Sequence, residues 1–222
     1  MMNIEWPGAI APSQDMRGRC FGVVVGIVTN NQDPEKLGRI KVKFPWLSDD
    51  DESNWARVAS PMAGPQRGMY FLPEVEDEVL VMFEYGQMDR PFVIGSLWNK
   101  QDKPPTDNED GKNDKRLIQS RSGHTILFHD KAGEEKIVIA DKTGVNTIVI
   151  DAKENSITIA AEKDFIIKAN GNIMIEAAGD MSFKSANIAL EAQEKVRIDA
   201  RSGLGLSCAA GVKLNDGALE VK

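Results

Sequence analysis

A chain of 222 residues with 27 basic and 34 acidic side chains carries a formal charge of −7, and it holds only two histidines. That balance supplies no basic field to gather nucleic acid or an anionic membrane surface, so no nucleic-acid partner is expected. The length allows one or two domains, and the two cysteines, Cys20 and Cys208, stand near opposite ends and read as free thiols.

The first twenty residues, MMNIEWPGAIAPSQDMRGRC, contain no apolar run of signal-peptide length, and nowhere do eighteen apolar residues follow one another. Assembly in the cytoplasm without a signal peptide is expected. Residues 1–19 carry Pro7, Gly8 and Pro12 without periodicity and read as an N-terminal arm. Residues 20–98 alternate short apolar runs with turn signals. FGVVVGIVTN (Phe21 to Asn30) is β-branched and leads into the turn DPEKLG (Asp33 to Gly38). In the following run Ile40, Val42 and Phe44 alternate with Arg39, Lys41 and Lys43, the period of a strand with one face buried. WARVASP (Trp55 to Pro61), DEVLVMFEYG (Asp77 to Gly86) and RPFVIGSLW (Arg90 to Trp98) complete about five strands, which suits a small closed or partly open barrel.

Residues 99–115, NKQDKPPTDNEDGKNDK, are dense in charge and proline and read as a solvated linker. From Asn155 onward the sequence repeats with a period of about eight. Two bulky apolar residues spaced by two recur as Ile157/Ile159, Phe165/Ile167, Ile173/Ile175 and Met181/Phe183. They continue as Ile188/Leu190, Val196/Ile198, Leu204/Leu206 and Val212/Leu214, and these sixteen residues are expected to face inward. A small residue usually follows each pair, as at Ala161, Ala169 and Ala177, with Cys208 in one such slot. Inward positions advance by eight except for one step of seven between Met181 and Ile188, which predicts a tightened corner near Ala186 and Asn187. Alternation within a unit and a turn between units describe short strands stacked in series. Three such strands make the edges of a triangular prism, wound either by one chain or by three, and the period alone does not separate the two.

The succession GRIKVKFPW, WARVASPMAG and GMYFLPEVEDEVLVMFEYGQMDRPFVIGSLWN resembles the OB-fold domain of contractile-injection spikes. That family holds the valine-glycine-repeat (VgrG) spikes of type VI secretion and the baseplate V proteins and needles of contractile phage tails. The likeness continues through RSGHTILFHD (Arg121 to Asp130), similar to the family's approach to its needle, and into the repeat. It implies an all-β chain: an OB-fold barrel over 20–98, and over 116–222 a needle built as an intertwined triple-stranded β-helix in a homotrimer. It also implies a separate trimeric hub at the barrel end and a conical tip protein of the PAAR-repeat type at the C-terminal end, where Leu219 and Val221 would contact it. The implied function is structural: a central spike, delivered or released outside the cell with its particle, that pierces a target envelope mechanically in transient contact with the target membrane.

Enzymatic chemistry has little footing. Asp49, Asp50, Asp51 and Glu52 lack the alternating spacing and glycine of a calcium loop. Glu74, Glu76, Asp77 and Glu78 could pair as acid and base in glycoside hydrolysis, but they flank a turn where charge is ordinary. His124 and His129 have only Asp130 as a nearby co-ligand, so no metal or other cofactor is expected. Seventeen linker residues cannot hold the lysozyme domain of some phage spikes. The final LNDGALEVK lacks the His-x-His with which some family needles bind iron. Two alternatives stand beside the spike: a monomeric β-solenoid that binds glycans, which would want an exposed aromatic row where the repeat offers only Phe165 and Phe183, and an envelope-degrading enzyme using Glu74 or Glu78.

Overall fold

The structure, a computed structural model, describes residues 18–48, 51–207 and 209. The described chain divides into two units, the first ending at Phe165 and the second beginning at Ile166.

The first unit opens with a five-stranded sheet in the order β2-β1-β6-β7-β3. Its strands are β1 (Val23–Asn30), β2 (Lys41–Lys43), β3 (Arg57–Val58), β6 (Glu78–Phe83) and β7 (Pro91–Ser96), while β4 (Ala63–Gly64) and β5 (Arg67–Gly68) form a separate hairpin. β1 pairs antiparallel with β2 and β6, β6 pairs antiparallel with β7, and β3 lies parallel to β7. The ring is carried round by two antiparallel bridges, Ile40 to Ala56 and Lys43 to Glu52, which join the β2 side to the residues leading into β3. The expected barrel is the fold observed.

The interior follows from the alternation. Ile40 and Val42 are fully buried, with Phe44 at 5% exposure, and they meet Val24, Val28, Val79, Val81, Phe83 and Val93. Phe44 and Phe83 pack with ring centroids 5.5 Å apart at 59°, an edge-tilted contact. Gly26 occupies an inward position where β1 crosses close to its neighbours. A Cβ there would lie 3.3 Å from Val81 Cγ2 and 3.4 Å from both the Lys43 carbonyl oxygen and Phe44 Cε1. Cys20 is buried without a disulfide partner, and burial pushes its thiol pKa up.

A second five-stranded sheet follows, made of β8 (Lys115–Gln119), β9 (Thr125–His129), β10 (Lys136–Ala140), β11 (Thr147–Asp151) and β12 (Ser156–Ala160) in the plain meander order. Every neighbouring pair is antiparallel over five residues without a register shift. Its hairpins turn through left-handed positions that include Gly144 (φ 73°) and Asn155 (φ 48°). The first repeat unit, Ile157/Ile159, is thus the last strand of an in-chain sheet, and the linker already gives way to strand at Lys115.

The second unit has no strand among its described residues. Its backbone bends at 170–171, 178–179, 186, 193–194 and 201–202, with an earlier bend at 162–163 in the first unit. The interval is eight residues except for one of seven after the bend at Ala186, the one bend of this series confined to a single residue. There the Ser185 hydroxyl donates to the Asn187 carbonyl at 2.7 Å, closing the shortened corner. Cys208, Val212, Leu214, Leu219 and Val221 lie outside the described residues, as do Asp49, Asp50 and residues 1–17.

Candidate interaction surfaces

Of the carboxylates that sequence alone offers to catalysis, Glu74, Asp77 and Glu78 have structural partners. Asp77 accepts a hydrogen bond from the Glu74 backbone N–H at 2.8 Å and closes the turn before β6. Glu78 accepts from the Asn99 side-chain amide at 3.2 Å, and Glu74 pairs with Arg121 at 3.1 Å across 47 residues of sequence. Glu76 occupies a left-handed turn position at φ 77°. Glu52 accepts from Lys41 Nζ at 3.0 Å, and that ammonium holds its carboxyl below the ordinary range.

Both histidines belong to the meander's hydrogen bonding. His129 Nδ1 donates to the Glu134 carbonyl at 3.0 Å, and His124 Nδ1 accepts from the Lys142 N–H at 3.2 Å. Among the described residues, no group of three His, Cys, Asp or Glu is placed to hold a metal ion.

Two carboxylates that sequence reading passes over organise turns. Asp33 accepts from the N–H groups of Glu35, Leu37 and Arg39 and from both Nε and Nη2 of Arg39, the last at 2.7 Å. The Arg39 side chain holds the Asp33 carboxyl far below the carboxylate range. Asp141 accepts from the hydroxyl and N–H of Thr143 and from the Asn146 side chain, which lowers its carboxyl to about 2, the Thr143 hydroxyl acting most strongly. The signal for both was present as Asp-x-x-x-x-x-Arg and Asp-x-Thr-Gly-x-Asn, turn chemistry whose reach is not visible until the chain is folded.

What remains uncovered is apolar. On one face of the meander the cross-strand register aligns Ile118, Ile126, Ile139, Ile148 and Ile159 in a single row. The neighbouring row on the same face is Arg116, Phe128, Ile137, Ile150 and Ile157. Except for half-buried Ile137, every apolar member of these rows is exposed, from 39% at Ile126 and Ile148 to 70% at Ile157. Arg116, the single charge among the ten, is ion-paired with Asp130. The opposite face differs: Leu117, Leu127, Val138 and Val149 form one apolar row flanked by polar residues such as Lys115, His129 and Asp151. Beside the first row, Phe71, Leu72 and Pro73 of the loop before β6 overhang a groove of about 870 Å³.

The barrel's outer wall carries a smaller patch, where Val23, Met82 and Phe92 align across β1, β6 and β7. Arg57 covers part of it, its guanidinium 4.3 Å from the Phe92 ring centroid. In the second unit Ile167, Ile173, Ile175, Met181, Phe183 and Ile188 are all exposed. So are Leu190, Val196, Ile198, Leu204 and Leu206, and Phe165 at the end of the first unit. No helix among the described residues is long and apolar enough to cross a membrane.

Comparison with known proteins gives these surfaces a setting. Residues 24–98 match the model of the type VI secretion system/phage-baseplate injector OB domain. A type VI secretion system spike protein VgrG3 of Vibrio cholerae is 30% identical over 145 residues, 62% of this chain and 14% of that protein. The spike protein VgrG1b of Pseudomonas aeruginosa is 29% identical over 164 residues, 71% of this chain and 21% of its own length. The actin cross-linking toxin VgrG1 of Vibrio cholerae is 28% identical over 145 residues, 13% of that protein. This chain therefore spans only a small part of the relatives it matches. The barrel thus matches the injector OB domain, and the chain's likeness to the VgrG spike proteins of type VI secretion runs well past that domain.

Proposed function

We propose that three copies of this chain form the puncturing needle of a contractile injection machine, whether of a type VI apparatus or a phage-like tail. The observation that carries this reading is the second unit: its corners recur about every eight residues, and the apolar residues between them have no strand partner among the described residues. Strands with unpaired backbone and uncovered apolar side chains need neighbours, and two further copies supply both at once. In that assembly the inward positions from Ile157 to Leu214 form the needle core. Each layer adds one strand spacing of about 4.8 Å, so the eight repeat units make a shaft on the order of 40 Å long. The chains must unwind before any local segment gains freedom, which makes such a rod slow to unfold.

The protein's work is then mechanical and breaks no covalent bond. A rod driven by a contracting sheath concentrates force on a small area of envelope. A trimeric hub at the barrel end and a PAAR-type tip protein over Leu219 and Val221 are the partners of this reading, and the needle leaves the cell with its particle. Light scattering of the purified chain at micromolar concentration tests it. A mass of three chains is expected, and one near 24 kDa would overturn it, since the single chain weighs 24.4 kDa.

A further inference from the structure

We infer that the N-terminal arm, residues 1–17, covers the outer wall of its own barrel, with Ile4, Trp6 and Ile10 set against the apolar patch there. The inference concerns the barrel alone and does not depend on the trimeric reading above.

The wall is built by register. Val23 of β1, Met82 of β6 and Phe92 of β7 form one cross-strand row, and Val25, Leu80 and Gly95 form the next, so no charged residue falls within either row. Val23, Val25 and Met82 are exposed, while Leu80 and Phe92 are half-buried. The Arg57 guanidinium covers only the Phe92 end. Because β1 runs between β2 and β6, the wall offers side chains and no free backbone edge.

Size decides what can cover it. Two rows across three strands make a face on the order of 200 Å², well short of the roughly 800 Å² that each partner of a stable protein–protein interface buries. A separate protein would hold this wall weakly. A tethered segment needs far less contact, because a short flexible tether supplies an effective concentration in the millimolar range.

The tether is in the right place. The Cys20 N–H donates to the Gly86 carbonyl at 2.8 Å, which fixes the chain beside the end of β6, and Gly18 (φ 70°) bends the backbone just before it. The arm therefore begins five residues ahead of Val23, and residues 1–17 can reach about 55 Å when extended, several times the width of the wall.

Its chemistry suits a face and not an edge. Ile4 and Trp6 are spaced by two, so an extended segment presents both on one side, and Ile10 follows beyond Pro7 and Gly8. Pro7 and Pro12 lack the N–H that a sheet ladder uses and favour extended backbone, as befits a segment held by side chains. From Met1 to Gln14 the one charged side chain is Glu5.

Thiol labelling of the full chain tests this. Met82→Cys is made in a Cys208→Ala background, once with the parent arm and once with Ile4→Ser, Trp6→Ser and Ile10→Ser together; Lys153→Cys in the same two backgrounds is the control. Buried Cys20 should stay unlabelled throughout and so reports an intact barrel. The expected result is maleimide labelling of Met82→Cys at least about tenfold faster with the altered arm, with Lys153→Cys unchanged. Equally fast labelling with either arm overturns the inference, since the wall is then open. Equally slow labelling also overturns it, since something other than the arm then covers the wall. Val25→Cys repeats the measurement if Met82→Cys disturbs the barrel. Pairing Trp6→Cys with Val25→Cys in the same background settles whose arm it is: oxidation should cross-link within one chain, and a cross-link between chains overturns the assignment to the same copy.

Discussion

The barrel and the meander contain five main-sheet strands each, both alternate apolar with polar residues, and they reach opposite outcomes. Every buried hydrophobic residue among those described lies between Cys20 and Val93, inside the barrel. The meander, with a face of Ile and Phe at least as apolar, buries none of its residues to that degree. The difference is curvature. A sheet that bridges back on itself at Ile40 and Ala56 supplies its own second layer, whereas a sheet whose edges stay apart must find one elsewhere. The barrel should therefore answer to mutation as a folding unit, and the remainder of the chain as an assembly.

The largest expected effect comes from Val81→Asp, which places an unpaired charge in the closed core. It should cost on the order of 4 kcal/mol or more, and chemical denaturation monitored by tryptophan fluorescence should show the loss unchanged when protein concentration is varied. Ile175→Asp makes the contrasting case. Three charges meet in the proposed shaft core, costing several kcal/mol of assembly, so sedimentation should show dissociation that dilution worsens. Trimers as stable as the parent would remove Ile175 from the core. Gly26→Val comes next. Overpacking against Val81 and Phe44 should cost about 1–3 kcal/mol, read as a lowered barrel transition with the assembled mass preserved.

Acid separates the regions by their turns. The carboxyls of Asp33 in the barrel and Asp141 in the meander are both held below their unfolded values. The stability each contributes is therefore present above about pH 4 and lost as pH falls through the folded value, which for Asp141 is about 2. Asp141→Asn should flatten the loss between about pH 4 and 2 in hydrogen exchange of the β10–β11 hairpin and leave the barrel's acid response unchanged. A barrel that responds equally would show that the two turns do not act separately. The smallest effect is that of Arg57→Ala. Removing the cation from Phe92 should cost about 0.5–1 kcal/mol of barrel stability.

The sequence made the barrel legible because its information is local. Ile40, Val42 and Phe44 alternate with Arg39, Lys41 and Lys43, and closure of the sheet turns that pattern directly into inside and outside. The β4–β5 hairpin was not legible, since two-residue strands have no period to detect. Between Leu117 and Asp151 the sequence was legible only through the resemblance of RSGHTILFHD to the family's approach to its needle, and neither the strands of the meander nor their partners were read. Antiparallel pairing is imposed by turns such as Asp141 to Asn146, and equivalent isoleucines sit eight, thirteen, nine and eleven residues apart from Ile118 to Ile159, following turn length rather than a repeat. Glu74 and Arg121 were unreadable as a pair for a related reason: 47 residues separate them, and only the fold brings the barrel loop to the β8–β9 turn. The short corner at Ala186, by contrast, was visible as one seven-residue step, because a missing residue disturbs a period wherever its partners come from.

β12 ends the meander as an edge strand, its outer row of backbone donors and acceptors unmatched by any other strand of the sheet. An edge of that kind is a template that accepts any extended segment, the right one or the wrong one. A cell making this protein thus faces a race between correct joining and clumping, and the outcome depends on how many copies emerge close together. Synthesis from neighbouring ribosomes on one message would favour the right encounter. Joining and clumping both need a second chain and both slow on dilution, so what favours the right outcome is keeping the copies of one assembly together as they fold.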